Sequence, residues 1–244
     1  MKYHVFDPTG NITVLIEGER DISAADAVMK EVPDAEQVGF VTDGGLTLTM
    51  AGGEFCGNAS MCAAVLYREK TGVTDALLSV SGADSPVRVS VSGDSGEYFC
   101  TVEMPPVLSI EECVLQYGDR DYTVSAVRMQ GICHLIMTAC ATAEEDARAA
   151  AQKWCDDLSS DAVGLMFFDS EKMSLKPLVF VKTANTLFWE NSCASGTSAV
   201  GAYLAWTENK TVSEDISEPG GILHVKAFPD GKIMLSGKVK RVSG

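Results

Sequence analysis

Two segments of the sequence share one pattern, in which a cysteine precedes small residues and then a run of small, apolar residues. The first segment comprises residues 52–67 around Cys56, and the second comprises residues 190–205 around Cys193. Small polar residues favour a helix N-terminus, and the alanines and leucines behind them favour a buried helix. A cysteine at such an end meets the positive pole of the helix and several unpaired amides. We therefore expect each thiolate to be stabilised and a carboxylate to bind beside it.

The composition is that of an ordinary globular protein, and its charge limits the choice of partners. The 244 residues suffice for one large domain or two small ones, and 46% are hydrophobic while 22% are charged. A formal net charge of −15 argues against nucleic acid and anionic membranes as partners, although not against a small anion. The N-terminal residues lack the apolar core of a signal peptide, and no apolar run approaches the roughly 20 residues of a membrane span. We therefore expect a cytoplasmic protein.

The eight cysteines do not have the spacing of a disulfide framework or of a zinc site. They include no C-x-x-C pair, and without an export signal we expect reduced thiols. His4, His134 and His224 have no ligand spacing to the cysteines, so we expect no metal, and no nucleotide motif indicates a cofactor. The cysteines other than Cys56 and Cys193 are expected to be small core or surface residues: Cys62, Cys100, Cys113, Cys133, Cys140 and Cys155.

A break near the middle divides the chain into two halves of similar style. Met104-Pro105-Pro106 is the clearest punctuation, and each half combines many short strands with one small, apolar helix. In the first half we expect a helix opened by a capping box at Ser23 and Asp26, and a hairpin around Asp43-Gly44-Gly45. In the second half, residues 143–158 have helical composition. The fold class is therefore predicted to be α+β in two similar lobes.

Three chemistries can use two cysteines at helix ends. A thiol hydrolase or transferase needs a base, usually histidine, and would have to recruit His4 or His134. A redox pair needs two neighbouring sulfurs, for which the sequence separation gives no signal. Inversion of a stereocentre needs one group to remove a proton from one face and another to deliver a proton to the opposite face, which a thiolate and a thiol can do. The third chemistry accounts for the duplication; the alternative is that both cysteines only pack at helix starts.

The residues around both cysteines resemble the diaminopimelate epimerase superfamily of cofactor-independent amino-acid racemases and epimerases. Cys56-Gly57-Asn58-Ala59 is similar to the family's first motif, C-G-N-G or C-G-N-A, and Cys193-Ala194-Ser195-Gly196-Thr197 is similar to its second, C-G-S-G or C-G-T-G. Residues 7–11 are similar to the N-terminal G-N segment, and residues 130–134 are similar to the G-N-P-H turn of the second lobe. The matches are in the family's order and span most of the chain.

The resemblance implies two pseudo-symmetric lobes, each a β-barrel-like sheet around a central helix, with the active site between them. Because the C-terminal strand returns to the first lobe in that fold, we expect residues 1–105 plus 233–244 to form the N-terminal lobe and residues 106–232 the C-terminal lobe. Cys56 and Cys193 would be the catalytic acid and base, and no cofactor would be needed. The implied substrate-binding residues are Asn11, Gly57, Asn58, Ser195, Gly196 and Thr197.

Departures from the family pattern bear on the substrate. The E-R-G segment of diaminopimelate epimerases is absent ahead of the second cysteine, and Ile132 replaces the asparagine of G-N-P-H. A distal carboxylate would lose its clamp, and an unpaired buried charge costs about 3–5 kcal/mol. Phe188 and Trp189 indicate a flatter substrate side chain, or are strand core residues. The histidine racemase branch of the superfamily shares these traits, so histidine is the expected substrate.

Several alternatives remain open from the sequence. Glu54 and Glu190 are expected to contact the substrate amino group or an imidazole, or to be ordinary acids at a helix entry. Within the superfamily the other activities are diaminopimelate epimerase and a phenazine-biosynthesis-type isomerase, although the latter uses a carboxylate and the two cysteines argue against it. A non-catalytic amino-acid-binding protein is the alternative of another class. The oligomeric state is not fixed by the sequence, and a homodimer is an open option.

Overall fold

A computed structural model describes residues 1–138, 144–182 and 185–243 of the chain. The described residues divide into two compact units, Met1–Met104 with Met234–Gly244, and Pro105–Ile233. The strands are β1 (Tyr3–Pro8), β2 (Thr13–Glu17), β3 (Gln37–Thr42), β4 (Thr47–Met50), β5 (Asp75–Val80), β6 (Val87–Asp94), β7 (Glu97–Met104), β8 (Ser109–Tyr117), β9 (Arg120–Met129), β10 (Ile132–Met137), β11 (Ala162–Asp169), β12 (Ser174–Val181), β13 (Thr186–Trp189), β14 (Val212–Glu218), β15 (Gly221–Ala227) and β16 (Ile233–Ser243). The helices are α1 (Ile22–Glu31), α2 (Gly57–Thr71), α3 (Glu144–Asp157) and α4 (Ala194–Glu208). The predicted α+β class is confirmed.

The first unit is a closed barrel built around α2. Its strands follow the order β1-β2-β3-β4-β5-β6-β7-β16, and β16 pairs with β1 to close the barrel. Helix α2 contacts the strands from β1 to β7, and every residue from Gly57 to Leu66 is buried. Small residues and alanine make this possible, because a bulkier helix would not fit among the inward-facing side chains. The helix ends at Gly72, which adopts a left-handed conformation with φ of 77°.

The second unit carries helices on both faces of one sheet. Its strand order is β15-β14-β12-β11-β10-β9-β8, and β13 pairs with β12. Helix α3 packs on the face whose buried cluster includes Trp154 and Leu165. Side chains alternate between faces along a strand, so Met166 points to the other face, where α4 lies with Gly196 near it. Helix α4, with Cys193 at its start, therefore lies on the face of the sheet opposite to α3.

The structure agrees with most of the expected local elements and corrects one of them. The hairpin of β3 and β4 forms around a short 3-10 turn at Asp43–Gly45, as predicted. The helix α1 is capped by Asp21, whose Oδ1 accepts hydrogen bonds from the amides of Ser23 and Ala24, so the predicted capping box at Ser23 is wrong. Aspartate at this position accepts both amides as well as serine would, which moves the helix start two residues earlier.

Three strands were not anticipated, and one predicted helix extends beyond the described residues. Strands β8, β13 and β14 have few buried residues, so their sequences lack a continuous apolar pattern. Helix α3 confirms the helical composition from Glu144 onward, whereas residue 143 lies outside the described part of the chain. Buried free thiols are found at Cys62, Cys100, Cys133 and Cys155, and a half-buried one at Cys113. Cys140 also lies outside the described residues.

Within the described ranges, no helix combines the length and the apolar character that crossing a lipid bilayer would require.

Candidate active site: two helix N-termini

Both cysteines singled out by the sequence are N-cap residues. Cys56 caps α2 with φ −132° and ψ 114°, and Cys193 caps α4 with φ −128° and ψ 101°. Each sulfur accepts a hydrogen bond from the amide three residues on: Ala59 N lies 3.3 Å from the Cys56 sulfur, and Gly196 N lies 3.4 Å from the Cys193 sulfur. A sulfur therefore occupies the place that a serine or aspartate oxygen usually takes at a helix start.

The first backbone hydrogen bonds of the two helices also correspond. Ser60 N donates to the carbonyl of Cys56 at 3.0 Å, and Thr197 N donates to the carbonyl of Cys193 at 2.8 Å. These are the first regular hydrogen bonds of the two helices, so the amides before them, in Gly57-Asn58 and Ala194-Ser195, lie at the open helix N-terminus. Such amides, together with the helix dipole, favour an anionic group. Both helix N-termini therefore have the local geometry that the sequence indicated, and the binding of a carboxylate there stays a prediction.

The surroundings of Cys56 are built by β2 and β3. The thiol of Cys56 donates to Gln37 Oε1 at 2.7 Å, and the amide group of Gln37 donates to Asn11 Oδ1 and to Thr13 Oγ1, the latter at 3.0 Å. The parallel pairing of β2 and β3 places Gln37 opposite Thr13. Asn11 is buried, at 3% exposure. The predicted substrate residue Asn11 is thus linked to Cys56 through Gln37, a residue that no sequence motif marked.

A turn after β5 holds the segment that leads into Cys56. Ser81 Oγ donates to the carbonyl of Glu54 at 2.9 Å and accepts a hydrogen bond from Met50 N at 2.9 Å. Gly82, with φ of 72°, lies so close to Phe55 that a Cβ would collide with its backbone nitrogen. Glu54 itself is exposed, and its carboxyl group lies against Gly52.

The surroundings of Cys193 are more buried and more acidic. The thiol of Cys193 hydrogen-bonds the carboxylate of Glu190, and its sulfur lies 3.6 Å from Ser195 Oγ. At Gly196 a Cβ would collide with the sulfur of Met166 and would lie 3.2 Å from the Cys193 sulfur. The glycine at this position therefore keeps room for the thiol, whereas the matching position in α2 carries Ala59. Of the two predicted acidic residues, Glu190 contacts its cysteine directly.

A second buried carboxyl, Glu218 on β14, binds the same helix end. Glu218 Oε2 accepts a hydrogen bond from the backbone amide of Cys193 at 2.8 Å, and its Oε1 accepts one from the hydroxyl of Thr197. Glu218 is 6% exposed and Thr197 is 0% exposed. The side chain of Thr197, predicted to cradle the substrate, is therefore engaged by Glu218. Sequence reasoning missed Glu218, because it follows Cys193 by 25 residues in an otherwise polar strand.

Charge and burial set the protonation of this second site. Burial, followed by the charges of Glu190 and Glu218, raises the pKa of the Cys193 thiol well above its usual value. Burial, with a smaller contribution from Glu190, raises the pKa of Glu218 to about 8 although Thr197 and the Cys193 amide oppose this. The expectation of a stabilised thiolate is therefore wrong for Cys193. One amide and a helix dipole do not outweigh desolvation and two neighbouring acids.

Of the histidines and aromatic residues considered as site members, His4 and Trp189 contact other side chains, His134 is buried without a hydrogen-bond partner among the described residues, and Phe188 is exposed. His4 Nε2 lies 2.7 Å from Glu17 Oε1, and its Nδ1 accepts a hydrogen bond from Arg241 at 2.6 Å. His134 is fully buried on β10, and burial lowers its pKa to about 3, so it is neutral. Trp189 packs against Phe167 in the cluster beneath α3, which supports its interpretation as a core residue.

A family model and several curated proteins match this chain over most of its length. The family model described as the histidine racemase CntK N-terminal domain matches residues 1–243 of the chain. The chain belongs to the histidine racemase family. Its curated relatives include a histidine racemase of Fusobacterium nucleatum, 34% identical over 96% of this chain and 94% of the relative. A histidine racemase of Staphylococcus aureus is 26% identical over 92% of this chain and 88% of the relative.

Membership of the histidine racemase family makes this chain an isomerase, and it confirms the resemblance to the diaminopimelate epimerase superfamily and its histidine racemase branch. The fold is shared with more distant proteins. A solved structure of a predicted epimerase from Pseudomonas aeruginosa has a TM-score of 0.71 at 13% identity, over 99% of this chain and 96% of that one. A phenazine biosynthesis protein of the PhzF family from Enterococcus faecalis has a TM-score of 0.62 at 13% identity, with 99% and 96% coverage. At this identity the two structures support the fold alone.

Proposed function

We propose that this histidine racemase family member interconverts the enantiomers of histidine without a cofactor, with Cys56 and Cys193 as the acid and base at the α-carbon. The observation that carries the proposal is the pair of matched N-cap cysteines, each hydrogen-bonded by an amide of its own helix. The choice of histidine is supported by the relatives, which are named histidine racemases and which this chain matches over most of their length.

The proposed reaction moves one proton off the substrate and another onto it. A cysteine thiolate removes the α-proton and becomes a thiol, while the electron pair of the C–H bond passes into the substrate carboxylate. The second cysteine, present as a thiol, then donates its proton to the opposite face of the α-carbon and becomes a thiolate. The two thiols end with exchanged protonation states, so each enantiomer is attacked by a different cysteine. The mechanism requires both sulfurs to act on the same α-carbon.

The helix N-termini supply the electrostatic part of the mechanism. We propose that the substrate carboxylate binds at the amides of Gly57 and Asn58 in α2 and at those of Ala194 and Ser195 in α4, beside Gly196, whose amide donates to the Cys193 sulfur. Negative charge grows on that group as the α-proton leaves, and oriented amides stabilise it without reorganising. Thr197 contributes through the backbone of the first turn, since its hydroxyl binds Glu218.

The polar side chains near the sulfurs complete the proposal. We propose that Asn11, which Gln37 links to Cys56, hydrogen-bonds a substrate amino or carboxylate group. Glu190 contacts the Cys193 thiol and is proposed to orient it, and as a carboxylate it would also attract the substrate ammonium. Glu54 is exposed and is proposed to bind the imidazole or the ammonium at the entrance of the first cradle.

The decisive experiment is proton exchange in D2O with reduced protein and L-histidine. Proton NMR is expected to show loss of the α-proton signal while circular dichroism at a fixed wavelength falls to zero, because each inversion introduces solvent deuterium. A panel that includes diaminopimelate and several neutral amino acids tests the choice of substrate. Exchange with diaminopimelate but not with histidine would identify a diaminopimelate epimerase instead. Binding of histidine by calorimetry without any exchange would indicate a non-catalytic binding protein.

A further inference from the structure

Glu218 is the most unusual side chain near the catalytic cysteines, because a carboxyl group is seldom buried without a cation. It lies at the end of β14, and both of its oxygens accept hydrogen bonds from the first turn of α4 and its cap. The two donors are the backbone amide of Cys193, the N-cap residue, and the hydroxyl of Thr197 in the first turn. The carboxyl group therefore holds the cap and the first turn of α4 together.

Apart from its two hydrogen-bond donors, the described groups around Glu218 are acidic or apolar. Glu190 acts on it through its charge, and Cys193 is the other titratable group in contact. On the adjacent strand β15 the buried residues are Leu223, Val225 and Ala227. The other charged side chains of these two strands are exposed or half-buried, and among them Asp215 Oδ1 pairs with His224 Nδ1 at 2.7 Å.

Two negative charges within one buried site oppose each other strongly, since little water is present to screen them. Ionised Glu218 would therefore disfavour the thiolate of Cys193, and a thiolate at Cys193 would keep Glu218 protonated. The same charge would also repel a substrate carboxylate at the amides of α4.

We propose that Glu218 is a positioning residue of the racemase, which fixes the first turn of α4 and limits the buried Cys193 site to one negative charge. In this role Glu218 is neutral whenever Cys193 has given up its proton or the cradle holds an anion. The inference rests on the proposed function for its catalytic consequence, whereas its effect on Cys193 itself requires no substrate.

The burial that raises the pKa of Glu218 to about 8 defines where the effect begins. Below that pH the carboxyl group is neutral and resembles the amide of a Glu218→Gln variant. Above it the wild-type site gains a charge that the variant cannot carry. The reactivity of the Cys193 thiol should therefore be the same in wild type and variant at neutral pH and differ in alkaline solution.

The test follows the reactivity of Cys193 without substrate. Wild type, Glu218→Gln and the control Glu214→Gln, which removes an exposed acid from the same strand, are treated with a small methanethiosulfonate, and the Cys193 peptide is quantified by mass spectrometry. We expect Cys193 in Glu218→Gln to react about tenfold faster than in wild type above pH ~8.5, and at the same rate near pH 7. Glu214→Gln should follow wild type throughout. Equal rates for Glu218→Gln and wild type at every pH would overturn the proposal.

Two further measurements separate this role from a merely structural one. In steady-state assays the KM of wild type should rise above about pH 8 relative to that of Glu218→Gln, with a smaller change in kcat, because the added charge opposes the substrate carboxylate. Glu218→Asp keeps the charge, so it should restore the wild-type pH dependence even if its first turn is looser; failure to do so would count against the proposal. If the reactivity shift occurs in a protein that does not racemise histidine, the proposed function fails and this inference stands. If racemisation occurs without the shift, the inference alone fails.

Discussion

The two cysteine half-sites have the same backbone geometry at the helix start but differ in the charge of the side chains around the sulfur. In both, a cysteine caps a buried helix and its sulfur accepts the amide three residues on, at 3.3 Å in α2 and 3.4 Å in α4. The side chains that surround the sulfurs are unlike. Cys56 is half-buried, and its thiol donates to the neutral amide oxygen of Gln37. Cys193 is buried, its thiol contacts the acid Glu190, and its backbone amide donates to a second acid, Glu218.

This difference teaches that a helix N-terminus does not by itself make a reactive thiolate. The dipole and the amide are the same for both sulfurs, so they cannot distinguish them. Desolvation and neighbouring carboxylates raise the pKa of Cys193, which favours its thiol form in the resting protein. The proposed racemase would then start with Cys193 as the proton donor. Racemisation in both directions requires the roles to exchange, and a neutral Glu218 leaves the acidic site able to carry the charge of the Cys193 thiolate.

The largest expected effect is loss of either sulfur. Cys56→Ser and Cys193→Ser should each lower kcat for histidine racemisation by about 10²–10⁴-fold, because a serine hydroxyl is a much weaker acid and base partner than a thiol. The measurement is α-proton exchange in D2O. Cys113→Ser, at a half-buried thiol on β8, serves as control and should keep its activity. Loss in only one of the two variants would show that the half-sites are not equivalent parts of a two-base mechanism.

A methyl group distinguishes the two helix starts at their third residue. Gly196→Ala places a Cβ against Met166 and 3.2 Å from the Cys193 sulfur, whereas α2 already carries Ala59 there. We expect kcat to fall about 10²-fold, since a displacement of about 1 Å at a reacting atom can cost that much. The control is Ala227→Gly in β15, a change of one methyl at a buried site remote from the sulfur contacts described above. Activity of Gly196→Ala close to wild type would mean that the sulfur has more room than its neighbours indicate.

The neutral half-site can be given the charge of the acidic one. Gln37→Glu places a carboxylate 2.7 Å from the Cys56 sulfur and should shift the acid limb of the kcat/KM profile to higher pH by about one unit or more, because a like charge disfavours the thiolate. Gln116→Glu, which adds the same charge on the exposed side of β8, is the matched control. An unchanged profile for Gln37→Glu would indicate that Cys56 does not titrate in the free enzyme.

The raised pKa of Glu218 predicts how stability depends on pH. The pKa of Glu218 is about 8 in the folded protein and near 4.5, the ordinary value of a glutamate, in the unfolded chain, so the folded state binds the proton more tightly. Between these two values the unfolded chain ionises first, and stability falls as pH rises. Wild type should therefore lose up to a few kcal/mol relative to Glu218→Gln from pH ~4.5 to pH ~8, and no more above that. Urea denaturation at several pH values checks this, and a constant difference between the two proteins would contradict it.

The smallest effect compares the hydroxyls of the two first turns. Thr197→Val removes a donor from buried Glu218, whereas Ser60→Ala removes a donor from the carbonyl of Cys56, to which the Ser60 amide still donates. We expect a loss in the free energy of unfolding of about 1–3 kcal/mol for Thr197→Val and about 0.5–1.5 kcal/mol for Ser60→Ala. Denaturant titration of both variants at one pH provides the comparison. A larger loss for Ser60→Ala would reverse the order of the two half-sites.

The sequence by itself determined the duplicated units, the α+β class and the helix starts at both cysteines. These features are local, because a cap, the amides behind it and the small residues of the helix lie within a few positions of one another. The hairpin around Asp43 is local in the same sense.

Only the tertiary structure decided what surrounds each sulfur. Gln37 reaches Cys56 because β3 pairs with β2 in parallel and brings it opposite Thr13, and Glu218 reaches Cys193 from the end of a later strand. No spacing rule marks either residue, since strand register and burial bring them there. Burial also reversed the expected charge of Cys193, because desolvation depends on what the fold places around a side chain and not on its neighbours in sequence.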